Sequence, residues 1–131
     1  MKVIISGSRR LPSLGLNYYN DWKKVNQEHQ IYKILVKCIL ASKFNITEVV
    51  SGTCWGIDKL GEMWAINNGI PTIVKPADWN KLGKRAGYVR NEEMAKIGEA
   101  LICICTEDSK GSTHMVKIMN ELNKPVYHKI I

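Results

Sequence analysis

Apolar residues along this chain change their spacing repeatedly, and each change marks a new element. Lys2–Ser6 is a β-branched run that stops at Gly7 and reads as a first strand. Leu11–Asn20 carries Pro12, Gly15 and two asparagines, and reads as a loop. From Asp21 to about Ser42, the residues Trp22, Val25, Ile31, Ile34, Leu35, Cys38 and Ile39 recur at helical spacing, with Asn20 or Asp21 as the cap. Thr47–Ser51 is a short second strand, and Gly56–Asn68 is a helix closed by Asn68-Gly69 and Pro71. Thr72–Lys75 is a third strand. A long loop opens at Pro76, and a helix runs from roughly Ala86 to Ile97. Ala100–Thr106 is continuously apolar, as a strand buried on both faces must be. After a polar loop at Glu107–Gly111 come a helix over Ser112–Leu122 and a last strand at Val126–Ile130. Strands alternating with helices in this way predict an α/β, Rossmann-like three-layer fold with a mostly parallel five-stranded sheet.

Composition narrows the picture. The chain has 131 residues, of which 45% are apolar and 24% charged. That is one globular domain with a real core, and no repeat, linker or low-complexity stretch divides it. No apolar run nears the roughly 20 residues that span a bilayer, and Met1–Gly7 is too short for a signal peptide. A cytoplasmic protein is expected. The four cysteines make no C-x-x-C pair, and no histidine stands at zinc-ligand spacing from them. Cys38, Cys103 and Cys105 therefore read as small buried thiols in a reducing compartment, and no metal site is expected; Cys54 differs in lying in a Gly-rich loop.

The net charge of +7 points to a polyanionic partner or to a merely solvated lysine surface. Position separates these readings. Arg9, Arg10, Lys84, Arg85, Arg90 and Lys110 fall in Gly-containing segments, where cations meet ligands. Three polar loops follow three strands, and in an open parallel sheet such loops converge on the ligand edge. In the first, Gly7 lets the backbone approach a ligand, and Ser8 and Arg9 can hold phosphate. In the second, Ser51-Gly52-Thr53-Cys54-Trp55-Gly56-Ile57-Asp58, glycines flank a strand-to-helix turn suited to an anion. This loop is neither a G-x-G-x-x-G fingerprint nor a Walker motif. Asp58 is either a capping residue or a ribose ligand, and Glu62, one turn on, carries the same ambiguity. In the third loop, Lys110, Gly111, Ser112 and Thr113 offer charge, N–H groups and hydroxyls to phosphate. His114 reads as an acid-base, stacking or structural residue. A fourth segment places Trp79 and Tyr88 as base-stacking candidates, or as core aromatics, beside Lys84, Arg85, Arg90 and Asn91.

The ordered set Ser6-Gly7-Ser8-Arg9, Ser51-Gly52-x-x-x-Gly56-x-Asp58-x-x-Gly61-Glu62-x-Trp64-Ala65, Pro76-Ala77-Asp78-Trp79, Ala86-Gly87-x-x-Arg90-Asn91-x-x-Met94-Ala95 and Lys110-Gly111-Ser112-Thr113-His114-Met115 closely resembles the YspA-like, cpYpsA-related branch of the SLOG superfamily. The likeness covers nearly the whole chain. It implies a Rossmann-like domain that senses or processes nucleotides and nucleotide-derived signals, with lonely-guy phosphoribohydrolases and DNA-processing proteins among its relatives. Small members are often carried by bacteria and phages in conflict-related settings. The phosphoribohydrolases carry a Gly-Gly-x-Gly-Thr-x-x-Glu loop with a catalytic Glu, and Met115 stands in that place here. A thioether neither stabilises an oxocarbenium ion nor activates water.

The expected function is accordingly a sensor or sequestering protein for a mono-, di- or cyclic nucleotide or an ADP-ribose-like signal. No cofactor is implied beyond that nucleotide, with Mg²⁺ compatible as a phosphate-bound ion. The first alternative is a nucleotide-processing N-glycosidase, using Asp58, Glu62 or His114 for catalysis and Arg9 and Arg90 to hold phosphate. The second is a nucleic-acid-binding protein, although no groove-reading helix or basic block is present. A homodimer or higher homo-oligomer is expected, with Tyr18, Tyr19 and Trp22 on an exposed pairing face.

Overall fold

The computed structural model describes residues 1–131 throughout. Five strands form one all-parallel sheet in the order β3-β2-β1-β4-β5. These are β1 (Lys2–Gly7), β2 (Glu48–Ser51), β3 (Thr72–Val74), β4 (Ala100–Cys105) and β5 (Val126–Ile130). The fold is therefore Rossmann-like α/β, with helices on both faces of the sheet. No helix is long and apolar enough to cross a membrane.

Alternation along the strands sends residues to two cores. Val3, Ile5, Val49, Ile102 and Ile104 face α2 (Gln30–Ser42) and α3 (Ile57–Asn67) in a cluster of 19 buried residues. Ile4, Val50, Leu101, Cys103 and Cys105 face α5 (Ala86–Ile97) and α6 (Lys110–Glu121) in a cluster of 9. The central pair is in register over Val3↔Ala100 to Gly7↔Ile104. A Cβ on Gly7 would collide with the Ile104 carbonyl, so only glycine closes that pair.

The helix expected over Asp21–Ser42 is two helices, α1 (Tyr19–Trp22) and α2, with Lys23–His29 between them. Local side-chain hydrogen bonds win over helical periodicity there. The Asp21 carboxylate, expected to cap the long helix, accepts instead from the N–H groups of Asn17 (2.9 Å) and Tyr18 (2.8 Å). Asn26 Oδ1 accepts from Glu28 N–H, and His29 Nδ1 caps α2 by accepting from Ile31 N–H at 3.0 Å. Trp22 is buried rather than exposed for pairing, because its indole N–H donates to the Arg9 carbonyl at 2.8 Å. Tyr18 and Tyr19 are exposed.

Two further differences lie near the ligand edge. The loop opening at Pro76 contains a short helix, α4 (Trp79–Leu82), whose cap Asp78 accepts from Lys81 N–H at 3.1 Å. Helix α6 begins at Lys110 rather than Ser112, with Ser109 as its N-cap, because the Ser109 carbonyl accepts from both Thr113 N–H and Thr113 Oγ1. Helix α5 and strand β5 keep their expected bounds, and the remaining ends move by at most one residue.

Candidate functional site

β1 lies between β2 and β4, so the chain leaves it in opposite directions on its two sides. A crevice must open beyond the carboxyl ends at such a switch point. A cleft of about 510 Å³ lies there, within the range of small-molecule sites. Its walls come from the end of β1 and the segment after it (Ser6 to Arg10), from Cys54 and Asp58 at the start of α3, from α4 and α5, and from the segment after β4 that opens α6. Four cations, Arg9, Arg10, Lys84 and Arg90, line it with two carboxylates, Asp58 and Asp108.

Arg90 is the most telling of these side chains. It lies in α5, not in a loop, and is 9% exposed. Its Nη1 donates to the Gly52 carbonyl at 2.8 Å, and its Nε donates to Asn91 Oδ1 at 3.2 Å. Nη2 meets only the Cys54 sulfur, at 3.8 Å. No carboxylate comes within 4.0 Å of the guanidinium, since the chain's two ion pairs are Lys59–Glu62 and Lys117–Glu121. Buried charges are ordinarily paired, and here the nearest carboxyl to act on the guanidinium, Asp58, stands beyond ion-pair distance.

Asp58 is buried beside it, in the first turn of α3. Its Oδ2 accepts from Cys54 N–H at 3.3 Å. Burial pushes this carboxyl up to about 6, against the lowering influence of Arg90 and of the Cys54 and Gly7 N–H groups. The start of α3 thus already holds an acid of its own. The strained turn before it, with Thr53 at φ 58° and Gly56 at φ 106°, wraps Asp58 and reaches the cleft only through Cys54. Ser51, Gly52, Thr53 and Gly56 lie outside the cleft lining. Ser51 Oγ donates to Glu62 at 2.8 Å and accepts from Thr53 N–H at 3.0 Å, which holds Glu62 outside the cleft. Gly56 is needed because a Cβ there would press on the Ser8 carbonyl at 2.7 Å.

The first and third loops both reach the cleft. Ser8 Oγ accepts from Thr106 N–H at 3.0 Å, which ties the segment after β1 to the end of β4 and leaves the hydroxyl proton free to donate. Opposite, Lys110, Gly111 and Ser112 form the first turn of α6, where N–H groups have no intrahelical acceptor. Gly111 and Ser112 line the cleft, and the Lys110 and Thr113 side chains lie outside its lining, exposed. Met115 lies on the floor of the cleft, 1% exposed.

Trp79 and Tyr88 also line the cleft, 47% and 43% exposed, with the Arg9 guanidinium 6.0 Å from the Trp79 ring centroid. Asn91 lines the wall but spends its amide internally. It donates to the Gly111 carbonyl at 3.1 Å and to His114 Nδ1 at 3.2 Å, which places the imidazole proton on Nε2. His114 packs edge-on against Tyr88 at 4.6 Å and is held below its usual range by burial. It lies outside the cleft lining and acts as a strut between α5 and α6.

Cys54, Thr106, Asp108 and Ser109 line the cleft; Cys54 and Ser109 lie in loops singled out from sequence, but none of the four was named a ligand. Each stands one to four residues beyond a strand end or loop glycine, so adjacency to the recognised loops was the available signal. Comparison with protein-family models, with curated proteins and with solved structures found no match.

Proposed function

We propose that the cleft binds a phosphate-bearing nucleotide or nucleotide-derived signal, and that the chain serves as its sensor or sequestering protein. The observation that carries this reading is the buried, unpaired Arg90 guanidinium facing a cleft whose other wall is the first turn of α6. Arg90 Nη2 and Arg9 meet phosphate oxygens from one side. The N–H groups of Gly111 and Ser112 and the Ser8 hydroxyl meet them from the other. Trp79 and Tyr88 offer aromatic faces to a base at the mouth of the cleft. The likeness of the ordered loop motifs to the SLOG superfamily supports the same assignment. A thermal-shift screen of nucleoside mono-, di- and triphosphates, cyclic dinucleotides, NAD and ADP-ribose, with and without Mg²⁺, tests it. A ligand at 100 times its Kd adds about 2.7 kcal/mol of stability. Absence of any shift across the screen refutes the reading.

One observation favours a second reading, cleavage of the bound nucleotide. Asp58 is a cleft carboxyl at about 6, in the range of a general acid near neutral pH. Glu62 and His114, the other candidates, lie outside the cleft. Chromatography of each bound nucleotide separates the two readings. Intact recovery supports a sensor, and release of free base supports an N-glycosidase acting through Asp58.

A further inference from the structure

Behind the floor of the cleft, the structure brings together three side chains that sequence spacing kept apart. Cys103 and Cys105 are two residues apart on β4, so both point to the α5/α6 face. His128 lies on β5, opposite Cys103 in the parallel register. Cys103 Sγ, Cys105 Sγ and a His128 ring nitrogen lie within 4.8 Å of one another. Cys105 Sγ and His128 Nε2 are 3.1 Å apart. We propose that Cys103, Cys105 and His128 form a binding site for one zinc(II) ion, separate from the nucleotide cleft.

The geometry is close to what the ion requires. Three atoms at most 4.8 Å apart surround a point no more than about 2.8 Å from each. Zinc–sulfur and zinc–nitrogen bonds are about 2.3 and 2.0–2.1 Å, so binding needs shifts of roughly half an ångström, with Cys105 Sγ and His128 Nε2 moving slightly apart. Charge selects the metal. Both cysteines are buried, and two thiolates with one imidazole make a neutral centre around a divalent ion. Copper(I) would leave a net negative charge in the same apolar layer.

Access and use follow from the topology. β5 is an edge strand, and His128 is exposed on it, so an ion enters from the sheet edge when the imidazole swings aside. Three protein ligands leave a fourth position on the His128 side for water or an exogenous thiol. The bound ion would cross-link β5 to β4 at the strand end from which the segment leading to α6 departs. This site does not depend on the nucleotide reading, because none of its three ligands lines the cleft.

The test is a titration of the reduced, metal-free full chain with cobalt(II) and then zinc(II). One cobalt per chain is expected, with sulfur-to-metal charge transfer and the intense visible bands of a tetrahedral site, all lost on adding one equivalent of zinc. Changing partners beyond the direct ligands of a metal costs 10–100-fold in affinity, so loss of a ligand should exceed that. His128→Ala should weaken zinc binding by more than about 100-fold, with only a small change in the melting of the metal-free chain, because His128 is exposed and gives up one hydrogen bond to Cys105. Cys105→Ser should remove part of the charge-transfer intensity. Octahedral cobalt spectra without sulfur bands, unchanged zinc affinity in His128→Ala, or uptake of copper(I) with no uptake of zinc would each overturn the assignment.

Discussion

The two faces of the sheet do different work with the same strands. On the α2/α3 face, Ile31, Leu35, Ile57 and Ile102 are fully buried in a continuous apolar layer. On the α5/α6 face the buried set is half that size and shares its layer with Ser6, Arg90, Asn91, Ser112 and two thiols. Ser6 Oγ is buried there without a hydrogen-bond partner. Polar groups placed in a core weaken it unless each is satisfied. One face of this domain therefore carries the stability that allows the other to keep unpaired chemistry near its surface.

The largest expected effect belongs to the apolar face. Leu35→Ala should cost about 2–5 kcal/mol in denaturant unfolding, while the molecules that remain folded bind nucleotide as before. A parallel loss of intrinsic affinity would show that the faces are not separable.

Next is Asp58→Asn. The folded-state pKa of about 6 lies above the ordinary 3.8, so the folded chain holds this proton more tightly than the unfolded chain. Asp58 therefore favours folding at low pH, and its contribution falls by up to about 3 kcal/mol as pH rises from about 4 to 6. Asparagine removes the dependence. The variant should melt above the parent at about pH 7.5, and the gap should shrink towards about pH 4. An equal gap at both pH values would place the cause outside this carboxyl. With a carboxylate gone, phosphate affinity should rise if the chain only binds, and turnover should vanish if it cleaves.

A smaller effect is expected from Arg9→Ala. Arg9 is exposed, so melting should hardly move. A charged hydrogen bond is worth about 1.5–3 kcal/mol, and calorimetry should register a loss of about 10- to 100-fold in nucleotide affinity. The smallest stability change belongs to Gly111→Ala. A Cβ there meets nothing within 4 Å, and the residue is helical. Alanine should therefore stabilise by about 0.5–1 kcal/mol, while its methyl crowds the cleft wall and weakens phosphate binding. Unchanged binding would move the anion seat away from the start of α6.

How much could be read from residues alone differed between fold and site. β4 was legible because six successive buried residues permit little else, and α5 and β5 because clear breakers bound them. Lys23–His29 was not, because the apolar spacing runs through it and only the Asn26 and His29 side chains divert the backbone. Gly7, Ser8, Arg9, Arg90, Gly111 and Ser112 were found from loop chemistry and do meet at the cleft. Ser51, Gly52, Thr53 and Gly56 were read as a phosphate loop, and they instead wrap Asp58. A carboxyl one position inside a helix looks the same in sequence whether it faces a ligand or fills the helix's own anion site.

Strand and helix order, the parallel sheet and the edge at which polar loops gather follow from periodicity and chain handedness, which are local properties. Tertiary structure decided which groups remain unpaired and which meet. Arg90 reaches the cleft because the fold brings it to Gly52, a hydrogen-bond partner 38 residues away, and holds the nearby Asp58 carboxylate beyond ion-pair distance. Cys105 and His128 converge although 23 residues apart, because β4 and β5 are parallel neighbours at a particular register. Local sequence encodes backbone preference, whereas pairing across the sheet depends on register and packing that no local window contains.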